Sequence, residues 1–277
     1  MPGDPRPIGV FDSGMGGLTV LRALSRRLPQ ERFVYLGDTA RLPYGTKSAE
    51  TVQAYALQAT RLLLDHGVKM LVIACNTASA VALYVLEEAW EKVPVIGVIE
   101  PGARAGVAAT RNGRIAVIAT EGTVKGGAYV RAIKRFKPDA EVVQLPCQVF
   151  VALAEEGWTD QPATLAASAH YLGPLFEGDA PPDTLVLGCT HFPVLADAIR
   201  HTVGAEIALV DSALTTAEAV AEALATKQLA GAADAEDGGT VRFFATDSPE
   251  RFARVGAIFL NRVIDPDTVE LVDLRSL

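Results

Sequence analysis

Short, uninterrupted apolar runs recur along this 277-residue chain, and stretches with helical spacing separate them. Ile8-Gly9-Val10-Phe11, Phe33-Val34-Tyr35-Leu36, Met70-Leu71-Val72-Ile73-Ala74 and Pro94 through Ile99 form a first set. Arg114 through Ala119, Glu141 through Leu145, Thr184-Leu185-Val186-Leu187-Gly188 and Ile207 through Val210 form a second. A run that is apolar on both faces suits a strand covered by helices, and strands alternating with helices predict a parallel sheet. Helices are expected over 18–28, 50–66, 78–90, 124–136, 149–156, 162–176 and 192–203. The chain thus reads as an α/β fold of two similar units, with 63 residues from Asp12 to Cys75 and 69 from Thr120 to Cys189. The lobes are expected at 1–97 and 98–210, with the tail 211–277 packed on the first. Within the tail, the acidic, Gly-rich stretch 231–239 reads as a surface loop and Val241 to Ala245 as a strand. Ser248-Pro249-Glu250 reads as a helix start with an N-cap hydroxyl.

The two units deliver a thiol to the same kind of place. The Met70 run ends in Cys75-Asn76-Thr77 and the Thr184 run in Cys189-Thr190-His191. The carboxyl ends of parallel strands are where open α/β sheets bind ligands. A lone strand-end cysteine is ordinarily a small core hydrophobe, but here each is followed by polar residues and the pattern occurs twice. Two thiols facing each other can stand on opposite sides of one carbon, and at neutral pH one can be thiolate while the other is protonated. That pair can move a proton from face to face.

Neighbouring residues extend this reading. His191 is either a solvated loop imidazole or the group that orients Cys189 or takes its proton. Asp12 serves Cys75 in the same way, binds a substrate ammonium, or closes an Asx turn before Gly14. Gly14-Met15-Gly16-Gly17 lacks the third glycine of a dinucleotide loop, since Thr19 stands there, and no Gly-Lys-Ser/Thr follows. Backbone N–H groups at the three helix starts are better suited to holding a carboxylate. Cys147 reads as structural, and Glu155 and Glu156 as an exposed helix end.

Composition narrows partners and compartment. The formal charge is -8, from 25 basic and 33 acidic residues, with no long basic tract, which argues against nucleic acid and membrane surfaces as partners. The start of the chain is polar and Pro-rich, unlike a signal peptide, and no apolar stretch reaches membrane length. Three cysteines without a Cys-x-x-Cys pair point to reduced thiols in a cytoplasm and to no metal site.

On these residues the chain resembles the glutamate racemases of the aspartate/glutamate racemase superfamily. The matching motifs run in order: Phe11 through Gly17, Asp38 through Gly45, Ala74 through Ala78, Gly97 through Gly102, Ala119 through Thr123, Leu187 through Pro193, and Thr246 through Phe252. Met15 departs from the pattern, which more often has Val or Ile. The resemblance implies two pseudo-symmetric three-layer α/β lobes with the active site in the cleft between them. It implies cofactor-independent interconversion of L- and D-glutamate, supplying the D-isomer for bacterial peptidoglycan, by a cytoplasmic enzyme expected to be a homodimer. Cys75 and Cys189 would be the acid/base thiols, assisted by Asp12 and His191. Asp12, Ser13, Tyr44, Gly45, Asn76, Thr77, Thr190 and His191 would hold substrate. By the same analogy Cys75 would take the proton from D-glutamate and Cys189 from L-glutamate. Two alternatives remain: an aspartate or hydantoin racemase with the same thiols, and a binding protein whose activity does not need them.

Overall fold

The computed structural model describes residues 3–232 and 238–274. Met1, Pro2 and the centre of the expected acidic loop, 233–237, lie outside the described residues.

The first apolar set folds as β1 (Ile8–Asp12), β2 (Phe33–Gly37), β3 (Met70–Ile73) and β4 (Val95–Gly97), with α1 (Leu18–Arg27), α2 (Ala49–Asp65) and α3 (Asn76–Ala89) between them. The second gives β5 (Arg114–Ala119), β6 (Glu141–Pro146), β7 (Thr184–Gly188) and β8 (Ala208–Asp211). Their connections are α5 (Glu121–Gly126), α6 (Ala128–Phe136), α7 (Val149–Glu155), α8 (Pro162–Phe176) and α9 (Ala196–Val203). Every strand pairing is parallel, and both sheets share one strand order: β2-β1-β3-β4 in the first and β6-β5-β7-β8 in the second. The weak internal similarity of the sequence is therefore a repeat of topology. Two tail strands, β9 (Val241–Ala245) and β10 (Val269–Leu271), extend the first sheet to six by pairing β9 with β2.

Several elements depart from expectation. The run Pro94 through Ile99 reads as one strand, yet β4 stops at Gly97 and Ile99–Ala109 is a helix, α4, which tolerates Pro101 because proline in a first turn forfeits no hydrogen bond. Ser212–Thr226 forms α10, which the sequence reading left unassigned; Asp211 caps it by accepting from the Ala213 N–H at 2.7 Å. α10 packs against both α1 and α4, so it bridges the two sheets rather than covering one. The helix expected over 124–136 is broken between α5 and α6 at Gly127, whose φ of 61° is left-handed. In the tail, α11 (Pro249–Leu260) starts where expected, but Ser248 is itself left-handed and its hydroxyl caps nothing. Among the described residues no helix is long and apolar enough to cross a membrane.

Burial explains the strand composition. All five residues of β1, β2 and β7 are buried, so sequence alternation would leave polar side chains without water on one face. A fully buried ion pair lies within the first half: Lys69 Nζ meets Glu31 Oε2 at 2.6 Å, with side chains 0% and 1% exposed.

Candidate active site

In each sheet the strand order reverses at the first strand of the unit, and ligands bind α/β sheets in the crevice beyond such a point. Asp12 ends β1 and Cys75 follows β3; Thr120 follows β5 and Cys189 follows β7. The two crevices face each other, and a cavity of about 30 Å³ lies between them. Ser13, Tyr44, Gly45, Cys75, Asn76 and Thr77 line it from the first half, and Cys189, Thr190 and His191 from the second. All nine were expected at the site. Asp12 is different: it is fully buried and lies behind the lining. A roomier groove of about 510 Å³ lies between α3, α4 and α10, but no thiol or imidazole reaches it. Chemistry, rather than size, identifies the site.

Cys75 is the N-cap of α3. Its sulfur accepts from the Ala78 N–H at 3.4 Å, and the thiol donates to Ser13 Oγ at 3.4 Å. Burial pushes this thiol up to about 12; the Asp12 carboxylate adds to the effect, while Ser13 and the Ala78 N–H oppose it. Burial likewise raises Asp12, against the pull of His191 and the backbone N–H groups of Gly17, Gly14 and Ser13. Asp12 Oδ2 accepts from Gly14 N at 3.0 Å, so the Asx turn exists, and Oδ1 has no hydrogen-bond partner among the described residues.

Cys189 has a different neighbourhood. Its sulfur lies 3.8 Å from His191 Nδ1, and His191 Nε2 lies 3.2 Å from Glu155 Oε1. Burial acts to lower His191, but Cys189 and Glu155 outweigh it and hold the imidazole up at about 10. Glu155 is thereby corrected from an exposed helix end to a mostly buried group; Glu156 beside it is exposed. Burial raises the Glu155 carboxyl, and His191 with Arg251 overcomes that and holds it below the ordinary range. Nothing in the local sequence marks Glu155, because its partner is 36 residues away.

The loop glycine at 16 has its reason here. A Cβ on Gly16 would stand 2.4 Å from His191 Nδ1, so only glycine lets the β1–α1 turn approach the opposite half. The turn serves packing against the imidazole rather than a phosphate.

Polar donors surround the remaining wall. Tyr129 Oη donates to Asn76 Oδ1 at 2.8 Å, and the buried Asn76 Nδ2 is a donor without an acceptor among the described residues. Thr77 Oγ1 lies 3.0 Å from Thr120 Oγ1 and 3.2 Å from Thr123 Oγ1, joining hydroxyls across the two halves. Tyr44 Oη donates to Asp38, and its phenol stays protonated because burial and then that carboxylate raise it. Sequence reading missed Pro43, Thr120, Gln148 and Val151 in the lining. Thr120 stood in the matched strand-end motif and was legible as the counterpart of Asp12; Gln148 and Val151 gave no such signal. Cys147, set aside as structural, is buried, with its thiol donating to the Leu145 carbonyl at 3.8 Å. Among the described residues no group of three or more His, Cys, Asp or Glu side chains could hold a metal ion.

Comparison with known proteins agrees with this geometry. The Asp/Glu/Hydantoin racemase family model matches residues 8–220. A glutamate racemase of Geobacter metallireducens is 51% identical over 255 residues, covering 92% of this chain and 93% of its own. The crystal structure of a Francisella tularensis glutamate racemase in complex with D-glutamate superposes with a TM-score of 0.90 at 36% identity, covering 99% and 100% of the two chains. A Thermus thermophilus glutamate racemase structure gives 0.86 at 42% identity, covering 99% of each. With two thiols at matching strand ends, one strand order used twice and a match across most of its length, the chain belongs to the Asp/Glu/Hydantoin racemase family.

Proposed function

We propose that this protein interconverts L- and D-glutamate by direct proton transfer between two cysteines, without a cofactor, and supplies D-glutamate for peptidoglycan in the cytoplasm. The observation that carries this reading is the placement of Cys75 and Cys189, from opposite halves, in the wall of one small cavity. Their unequal settings support a defined starting state. Cys75, held up at about 12, carries its proton at neutral pH. His191, held up at about 10, is a cation there and stands 3.8 Å from the Cys189 sulfur, the base of this scheme.

From that state Cys189 breaks the Cα–H bond of one enantiomer and becomes a thiol. Cys75 gives its proton to the opposite face of Cα and becomes a thiolate. The other enantiomer runs the sequence backwards. On the family analogy Cys189 acts on L-glutamate. The intermediate carbanion lies beside a carboxylate and has no pyridine ring to drain its charge, so fixed donors and exclusion of water must stabilise it. Asn76 Nδ2, the Thr77, Thr190 and Ser13 hydroxyls, and the Gly45 backbone are the donors available, and Tyr44 supplies a neutral phenol. The cavity as it stands holds about two waters.

The test is Cys75→Ser and Cys189→Ser, assayed by circular dichroism with L- and D-glutamate and by deuterium uptake at Cα in D2O. Each substitution is expected to cut racemisation by about 100-fold or more. Turnover at the wild-type rate in either variant rules out the two-thiol scheme. Racemisation of aspartate in preference to glutamate would shift the substrate and leave the chemistry.

A further inference from the structure

Helix α11 carries two side chains that the two-thiol scheme leaves unused. Arg251 Nη2 donates to Glu155 Oε2 at 2.8 Å. Phe259 meets the His191 ring edge-on, with centroids 5.0 Å apart. α11 packs on α1 and β10, in the half built on the six-stranded sheet, whereas α7 packs on the 192–195 turn that follows His191 in the other half. The Arg251–Glu155 ion pair therefore crosses from one half of the molecule to the other.

Glu155 divides its two oxygens, Oε1 to the imidazole and Oε2 to the guanidinium. Its side chain is only 12% exposed, and a carboxylate so buried is costly unless paired. An arginine anchoring one oxygen fixes the direction of the other, because the guanidinium donates along set directions.

We propose that Arg251 is a positioning residue for Cys189: reaching across from the opposite half, it holds Glu155 so that the free oxygen meets His191 beside the Cys189 sulfur. This rests on the two-thiol racemase reading above. Cys75 has no such support, since its neighbours are the Ser13 hydroxyl, the Ala78 N–H and the Asp12 carboxylate. The device is one-sided.

The test must respect equilibrium. L- and D-glutamate have equal free energies in water, so any variant changes kcat/KM equally in both directions. One-sidedness appears instead in the primary isotope effect on kcat/KM, measured with α-deuterated L- and D-glutamate. Arg251→Gln is expected to lower kcat/KM by about 10-fold. The isotope effect should rise for the enantiomer whose proton Cys189 removes and fall for the other, because the Cys189 step has become limiting. Arg251→Lys should recover part of the rate. Arg242→Gln, which removes the exposed Arg242–Glu270 pair of the same tail, should leave both rate and isotope effects unchanged. Wild-type rates in Arg251→Gln would overturn the proposal. So would a loss of rate with both isotope effects unmoved and a lowered Tm, which marks a purely structural contact. Failure of the wild-type protein to racemise glutamate would instead sink the functional reading itself.

Discussion

Cys75 and Cys189 are the same side chain in opposite electrostatic settings. One caps a helix beside a buried carboxylate; the other stands beside an imidazolium backed by Glu155. Both thiols were legible from the sequence, because a polar pair directly after an apolar run marks a strand end. Glu155 was not, since its local pattern is that of any helix end. Its pairing predicts a pH signature in stability. His191 is raised, so its contribution is complete below the ordinary imidazole value of 6.5 and drains away as pH climbs through about 10. Glu155 is lowered, so its contribution is present above its ordinary 4.5 and is lost as pH falls through the folded value. The Tm difference between wild type and Glu155→Gln should therefore be widest from about pH 4.5 to 6.5 and narrow on either side. Thermal scans from pH 3 to 10 measure it, and a gap that stays constant across that range contradicts the pairing.

Elements followed their local signals except where packing or a single dihedral intervened. The strands emerged because parallel strands buried on both faces must be continuously apolar. α4 and α10 escaped notice because alanines in both, and Pro101, Gly102 and Gly106 in α4, dilute the helical period that an amphipathic face would show. The break between α5 and α6 hangs on Gly127. Gly127→Ala is expected to destabilise by about 1–2 kcal/mol, the cost of a left-handed non-glycine residue. For a chain of this size that lowers Tm by roughly 2–8 °C. A rise in Tm would mean that the two helices can merge into the single one that the sequence pattern favours. Differential scanning calorimetry distinguishes these outcomes.

At the scale of the molecule, two sheets with one strand order place their switch points face to face, and the tail returns to widen the first sheet. The Lys69–Glu31 pair holds that return: Lys69 Nζ also donates to the Asp4 carbonyl at 2.9 Å, and Glu31 Oε1 accepts from Gly231 N at 2.6 Å. Lys69→Met strands a buried carboxylate and should cost about 3–5 kcal/mol, whereas adding Glu31→Gln should restore part of it. Urea denaturation of the single and double variants checks this; equal stabilities would show that the pair contributes nothing. The sequence by itself determined the strand–helix alternation, the two thiols and the polar residues after them. These depend on burial period and on residues adjacent in the chain, so a local reading suffices. Only the tertiary structure decided which charges meet. Glu155 joins an imidazole 36 residues ahead and an arginine 96 residues ahead, and Gly16 answers to a histidine in the opposite half. Such contacts arise when separate sheets close on each other, and no local pattern of residues encodes that approach.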